Sequence, residues 1–136
     1  MTLKKGNWTI NDSRIVYHNH WITLIEDKVI RPDKKEGIYG YIDVVPAITI
    51  IPVDKEKNIY LVKEFNYAIG KHSLGAVGGS VNHLEDPKDA AKRELKEELG
   101  ITAKKYISLG MANSYPSLFN SPSYIFMAED LEFGET

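Results

Sequence analysis

No cysteine occurs in the 136 residues. Disulfides, thiolate metal sites and a cysteine nucleophile are therefore excluded, and a reducing, cytoplasmic compartment is the expectation. Long apolar runs are also missing: the longest, Val44 to Val53, is interrupted by Pro46, Thr49 and Pro52. Such a run is too short and too broken to span a bilayer, and no secretory leader is read in Met1-Thr2-Leu3-Lys4-Lys5-Gly6-Asn7-Trp8. Charge of one sign is scarce as well, with a formal net charge of −2 and basic pairs (Lys4-Lys5, Lys34-Lys35, Lys104-Lys105) scattered among acids. Neither a nucleic-acid partner nor a membrane partner is expected from that balance. There are no internal repeats and no low-complexity tracts, and from Thr102 to Ala128 there is not one acidic residue.

What is present fits a single compact domain over 1–136: 43% of residues are apolar and 26% charged, enough for a real core and no second domain. An N-terminal region, 1–45, reads as β-hairpins. Its strands are Trp8-Thr9-Ile10, Arg14 to Tyr17, Ile22 to Ile25 and Tyr39 to Val45, with Asn11-Asp12, Glu26-Asp27 and Arg31-Pro32-Asp33 as turns. Between Pro46 and Pro52 the run Ala47-Ile48-Thr49-Ile50-Ile51 suits a strand buried on both faces. Asp54 to Asn58 turns the chain into a strand at Ile59 to Val62, and Gly70 to Gly79, with four glycines, reads as a loop. Two further strands are expected at Ile107 to Met111 and Tyr124 to Ala128, around a loop holding Pro116 and Pro122.

One helix is well specified, from about Pro87 to Leu99. Asp86 can cap it, Pro87 suits its first turn, Asp89 completes an acidic capping-box variant and Gly100 stands at the stop. Ala91, Leu95 and Leu99 recur every four residues as the buried stripe, which places Glu94, Glu97 and Glu98 together on another face. Three carboxylates at this spacing repel one another by a few tenths of a kcal/mol per pair. A hard divalent cation, Mg²⁺ or Mn²⁺, would remove the conflict, whereas a charge run by itself usually means only a solvated face. Arg93, just before them, can pair with Glu97 or reach back to Glu85.

The register decides between these readings. Gly79, five residues, Glu85, seven residues, then Arg93-Glu94-Leu95-Lys96-Glu97-Glu98-Leu99-Gly100-Ile101 resembles a complete Nudix box over 79–101. By chance this pattern arises on the order of once in ten million chains of this length. The resemblance to the Nudix (MutT-like) family implies an α+β fold, an α/β/α sandwich with a mixed sheet and the box helix, plus N-terminal antiparallel strands. It also implies a metal site made by the main-chain carbonyl of Gly78 with Glu94, Glu97 and Glu98, supported by Arg93 and Glu85, with Glu94 able to orient or deprotonate water. The implied reaction is Mg²⁺- or Mn²⁺-dependent attack of water on phosphorus in a nucleoside diphosphate linked to a group X.

Outside the box, the segment Tyr60 to Tyr67, the N-terminal strands and Pro116, fifteen residues past Ile101, are similar to the ADP-ribose and nucleotide-sugar pyrophosphatase branch of that family. That likeness implies a homodimer, with Lys63, Tyr67 and Pro116 as substrate-binding residues. Lys71, His72 and His83 are further phosphate contacts or plain surface residues. The chain departs from the branch at Asn66, where an arginine is usual, at Gly75, where a glutamate is usual, and at Ser121, where a catalytic glutamate is usual. It also ends at Gly134-Glu135-Thr136, where the branch continues into a C-terminal helix. A nucleoside triphosphate or RNA-cap pyrophosphohydrolase, and a weakly catalytic nucleotide-binding module, are the alternatives.

Overall fold

The computed structural model describes residues 2–134. In chain order the elements are β1 (Leu3–Lys5), β2 (Trp8–His18), β3 (Ile22–Ile30), β4 (Glu36–Val44), β5 (Ala47–Pro52) and β6 (Val62–Asn66). A 3₁₀ turn at Tyr67–Ile69 follows, then β7 (Lys71–Gly75), β8 (Val77–Ser80), α1 (Pro87–Leu99), β9 (Ile101–Asn113), β10 (Phe119–Asn120) and β11 (Pro122–Phe133). They form two compact units: one takes the chain up to Val45 together with Asn113–Ser121, the other takes Pro46–Ala112 and the chain from Pro122.

The first unit is a five-stranded sheet in the order β1-β2-β3-β4-β10, antiparallel except for β10, which runs parallel to β4 with Phe119 opposite Ile42. Two expected turns are absent. Asn11-Asp12 continues β2 through a register shift, and Glu26-Asp27 lies mid-strand in β3, opposite Arg14 and Ser13. Polar residues here are strand surface rather than turn signals, because facing strands carry opposite charges: Arg14 meets Glu26 at 2.8 Å and Lys28 meets Asp12 at 3.7 Å. The Arg31-Pro32-Asp33 turn forms as expected, closed by Arg31 N–H donating to the Lys35 carbonyl at 2.9 Å.

The second unit is built on a four-stranded mixed sheet in the order β8-β5-β11-β9, with β5 parallel to β11 and antiparallel to β8. Alternate residues of β5, Ile48, Ile50 and Pro52, are fully buried, while Ala47, Thr49 and Ile51 between them are half-buried. The expected loop at Gly70 to Gly79 is instead two strands, since β7 pairs with β6 as a hairpin and β8 pairs with β5. Of its glycines only Gly70 has positive φ, 66°, closing the 3₁₀ turn. Gly78 is needed for a different reason, because a Cβ there would lie 2.9 Å from the Ile48 carbonyl oxygen. Ile59 to Val62 yields only an isolated bridge from Val53 to Ile59, and the strand proper begins at Val62. The Asp54 turn forms as read, its carboxylate accepting the Asn58 N–H at 2.8 Å. Both late strands, β9 and β11, extend well beyond their apolar centres.

Helix α1 has the expected bounds. Asp86 Oδ1 accepts the Lys88 N–H at 2.9 Å, Pro87 occupies the first turn, and Gly100 at φ 63° donates to the Lys96 carbonyl. Asp89 does not close a capping box; its carboxylate pairs with Lys92 at 3.1 Å. The helix packs on β8, β5 and β11 through Ala90, Ala91 and Leu95, joining Ile48, Ile50, Val77, Ile101, Phe126 and Ala128 in one core. Leu95→Ala should therefore cost about 3 kcal/mol, read as a lower denaturant midpoint at unchanged slope; a midpoint equal to wild type would contradict this packing. Among the described residues no helix is long and apolar enough to cross a membrane. The chain end read as preceding a missing helix includes Glu135 and Thr136, which lie outside the described residues.

Candidate active site

Packing of α1 on the edge strand β8 sets the site's geometry. Gly79 faces Glu94 so closely that a Cβ at Gly79 would overlap the Glu94 carboxylate. Glycine at this position thus makes room for a functional group rather than for a turn. The neighbouring Gly78 lies opposite Thr49 in the β5–β8 ladder, on a strand paired along one edge only.

Arg93 is the hub. Its Nε and Nη2 meet the two carboxylate oxygens of Glu85 at 3.0 Å each, a bidentate fork, while Nη2 also donates to the Ser80 carbonyl at 3.0 Å. Nη1 donates to Glu94 Oε1 at 2.5 Å and, more loosely, to Glu97 Oε2 at 3.5 Å. The sequence left open whether Arg93 would choose Glu97 or Glu85; it holds Glu85 by the fork and touches Glu97 only at its margin. Glu85 Oε2 also accepts the Asn82 N–H at 2.9 Å, so one guanidinium pins the loop before the helix to the helix and to β8.

These contacts set the protonation behaviour. Arg93, clasped first by Glu85 and then by Glu94, is held well above its usual range. The Arg93 guanidinium and the Asn82 N–H hold Glu85 below the ordinary glutamate value of 4.5. A carboxylate whose folded pKa is depressed adds stability that is present above its unfolded pKa and lost as pH falls through the folded one. Wild type should then outlast Glu85→Gln in melting temperature at pH 7, and the gap should close as pH drops below 4.5. A gap that is constant from neutral to acid pH would show that the ion pair is not its source.

Glu98 behaves oppositely. Its carboxyl is pushed up, first by partial burial and then by the negative charges of Glu94, Glu64 and Glu97. Among the described residues it has no ion-pair or hydrogen-bond partner. Glu64 was not singled out from the sequence. Alternation along β6 sets it on the face shared with Val62, which packs against the core, and that is the signal that could have found it.

Among the described residues no three Asp, Glu or His side chains already surround one point as ligands. The Glu94 carboxylate accepts from Arg93. The residues nonetheless suit a hard divalent cation in kind. They supply oxygen donors only, Glu98 lacks a counter-charge among the described residues, and the absent Cβ of Gly79 gives the Glu94 carboxylate room against β8.

The remaining sequence candidates are dispersed. Lys63 is exposed on β6, opposite Leu74, and Tyr67 is 93% exposed in the 3₁₀ turn. Neither bonds to the glutamates among the described residues. Pro116 belongs to the first unit, where it lines a cavity with Trp8 and Tyr41. Asn66 donates to Ser73 Oγ at 2.8 Å across the hairpin, and the Ser121 N–H donates to Asn113 Oδ1 at 3.0 Å. Of the three departures from the branch pattern, Asn66 is thus engaged through its side chain and Ser121 through its main chain.

The helix, the glycine cradle and the arginine hub are the parts of a Nudix box, and comparison with known proteins agrees. Residues 43–133 match the NUDIX domain, and residues 8–42 match the nucleoside diphosphate sugar hydrolase N-terminal domain. The chain belongs to the Nudix family. It is 27% identical over 116 residues to the ADP-ribose pyrophosphatase of Bacillus subtilis, covering 85% of this chain and 63% of that protein. It is 33% identical over 85 residues to the ADP compounds hydrolase NudE of Escherichia coli, covering 62% and 45%. A crystal structure of an ADP compounds hydrolase matches with a TM-score of 0.83 at 25% identity, covering 95% of this chain and 70% of that one. The fold is accordingly the α+β Nudix fold, and the chain spans 63% of the Bacillus relative's length and 45% of NudE's.

Proposed function

We propose that the chain is a divalent-metal-dependent pyrophosphohydrolase that cleaves a nucleoside diphosphate linked to X, with ADP-ribose or a nucleotide sugar as the substrate class. The observation that carries this is the Arg93 fork, which sets Glu94 beside Gly79 and leaves Glu97 and Glu98 free of strong partners. The match of residues 8–42 to the N-terminal domain of nucleoside diphosphate sugar hydrolases supports the sugar-linked class, as do the names of the relatives.

The Gly78 carbonyl with Glu94, Glu97 and Glu98 would hold Mg²⁺ or Mn²⁺. When bound, the metal supplies charge neutralisation at the phosphates and acidifies water. The chain's own contribution is positional. Arg93 and Glu85 fix the start of the helix, and Glu94, oriented beside Gly79 by Arg93, accepts a proton from the attacking water. No covalent intermediate is required. From Thr102 to Ala128 there is no carboxylate to serve as a loop base, and the box glutamates are the proton acceptors in this reading, with a base from a partner subunit or weak catalysis as the alternatives.

That acid-free stretch also favours one second reading, a Nudix module that binds a nucleotide and turns it over slowly. One experiment separates the two: incubate the chain with Mg²⁺ and ADP-ribose, nucleotide sugars, dinucleoside polyphosphates and nucleoside triphosphates in H₂¹⁸O, then analyse products by mass. Cleavage of one class names the substrate and the phosphorus attacked. Binding without cleavage of any would establish the module instead. We further propose that residues 1–136 act as one functional domain, as a homodimer in the cytoplasm. The exposed Ile15, Trp21 and Ile38 of the first unit and the absence of cysteine support this. A monomer mass by light scattering would remove the dimer.

A further inference from the structure

Between β8 and α1 the chain passes through the turn Asn82-His83-Leu84-Glu85, closed by the Glu85 N–H donating to the Asn82 carbonyl at 3.0 Å. Of its two central residues only Leu84, the second, has positive φ, 61°. A type II turn has this pattern, and its second central position calls for glycine or asparagine because a Cβ is strained there. Leucine at such a φ is an outlier, and among the described residues it is the only aliphatic side chain so held. Packing does not account for it: Leu84 is 92% exposed and takes no part in the core.

The site itself enforces this backbone. The Asn82 N–H donates to Glu85 Oε2 at 2.9 Å, Arg93 forks Glu85, and Arg93 Nη2 also reaches the Ser80 carbonyl at the end of β8. Both sides of the turn are thereby tied to one guanidinium. Backbone strain persists where the surroundings over-determine it, and it concentrates at ligand clamps and active sites. None of these contacts uses the side chain of residue 84, and glycine would satisfy all of them without strain. What leucine adds is an apolar surface, open to solvent, at the rim of the glutamate site.

Outside their own helix the α1 glutamates have two flanks. One is Glu64 of β6, whose charge acts on Glu98; the other is Glu85 of this turn, joined to Glu94 through Arg93. A nucleoside diphosphate linked to X carries a bulky group on each side of its phosphates, so a substrate centred on the glutamates extends toward both flanks. A sugar-like X is ringed by hydroxyls, whereas a nucleobase presents an apolar face on which aliphatic and aromatic side chains stack. We propose that Leu84 is a specificity-determining residue that packs on the nucleobase of the substrate at the rim of the site. This role rests on the hydrolase reading above and deepens it by assigning the base an apolar contact.

Leu84→Ala and Leu84→Gly, made in the whole chain, separate strain from contact. Both remove the aliphatic surface but only glycine relaxes the backbone, so Leu84→Gly should melt about 2–4 °C above Leu84→Ala. If it melts no higher, the strain on which the assignment stands is absent. AMP, GMP, CMP and UMP are then titrated by calorimetry in Mg²⁺ against ribose 5-phosphate, which keeps phosphate and sugar and lacks the base. Wild type should bind at least one nucleotide more tightly than ribose 5-phosphate, and both variants should weaken that nucleotide about fivefold while ribose 5-phosphate is unchanged. KM on the substrate found by product analysis should rise by the same factor at unchanged kcat. A base preference and a KM that persist in both variants, or an equal loss of ribose 5-phosphate binding, would overturn the role of Leu84. Turnover of the panel by wild type tests the hydrolase reading separately: turnover with unaltered variants removes Leu84 alone, whereas neither turnover nor nucleotide binding in wild type removes that reading and this role with it.

Discussion

Glu97→Gln and Glu98→Gln, made separately, should each lower Mg²⁺-dependent turnover by about a hundredfold or more, which is about 2.7 kcal/mol of transition-state stabilisation at 1.36 kcal/mol per tenfold. Folding should survive in both. Glu97 and Glu98 are exposed on α1, and only Glu97 has a partner among the described residues, the long contact to Arg93. Glu98 is held uncomfortably by partial burial and by three neighbouring carboxylates. Replacing its charge relieves repulsion, so Glu98→Gln should melt at or slightly above the wild-type temperature, by a few tenths of a kcal/mol in stability. That opposition, a residue whose removal helps the fold and ruins the activity, is what a ligand site predicts and a solvated charged face does not. Turnover by both variants at the wild-type rate, measured with the substrate found by product analysis, would sink the ligand assignment.

How legible this was in the sequence varied with how local the cause was. Helix α1, read as about Pro87 to Leu99, has those bounds because Asp86, Pro87 and Gly100 act within one turn of themselves. Local signals misled where pairing partners decide. Asn11-Asp12 and Glu26-Asp27 look like turns, yet they sit in β2 and β3, where Asp12 and Glu26 are answered across the ladder by Lys28 and Arg14. Gly70 to Gly79 looks like a loop, yet Gly78 and Gly79 are in β8 because backbone and a carboxylate approach them closely. At the candidate site the box register placed Glu85, Arg93 and the three helix glutamates. Glu64 and Asp27 were missed: alternation along β6 gives the face of Glu64 but not its neighbour Glu98, and the surroundings of Asp27 come from residues distant in the chain. Asp27 in particular was read as half of a turn and is instead buried in a cavity wall.

Arg93→Ala is expected to be costly in both stability and rate, and the two losses share a cause. The side chain is 28% exposed and makes five polar contacts, two to Glu85 and one each to Glu94, Glu97 and the Ser80 carbonyl. Truncation leaves the Glu85 and Glu94 carboxylates, 18% and 13% exposed, without their cation. Removing one partner from charged, partly desolvated hydrogen bonds costs about 2 kcal/mol, seen as a lower denaturant midpoint. Glu94 also loses the contact that orients it beside Gly79, and supporting residues of this kind are worth roughly 10- to 100-fold in rate. Arg93→Lys should recover little, because a point charge cannot hold Glu85 by two parallel bonds while reaching Glu94 and Ser80. The cycle of Arg93→Ala with Glu85→Gln isolates the pair: if the fork is what pins the loop to the helix, the double variant should be more stable than the sum of the singles implies, by about 1 kcal/mol. Simple additivity of the two, with Arg93→Lys as active as wild type, would mean that the guanidinium is a surface charge and that Glu94 is positioned by the helix alone.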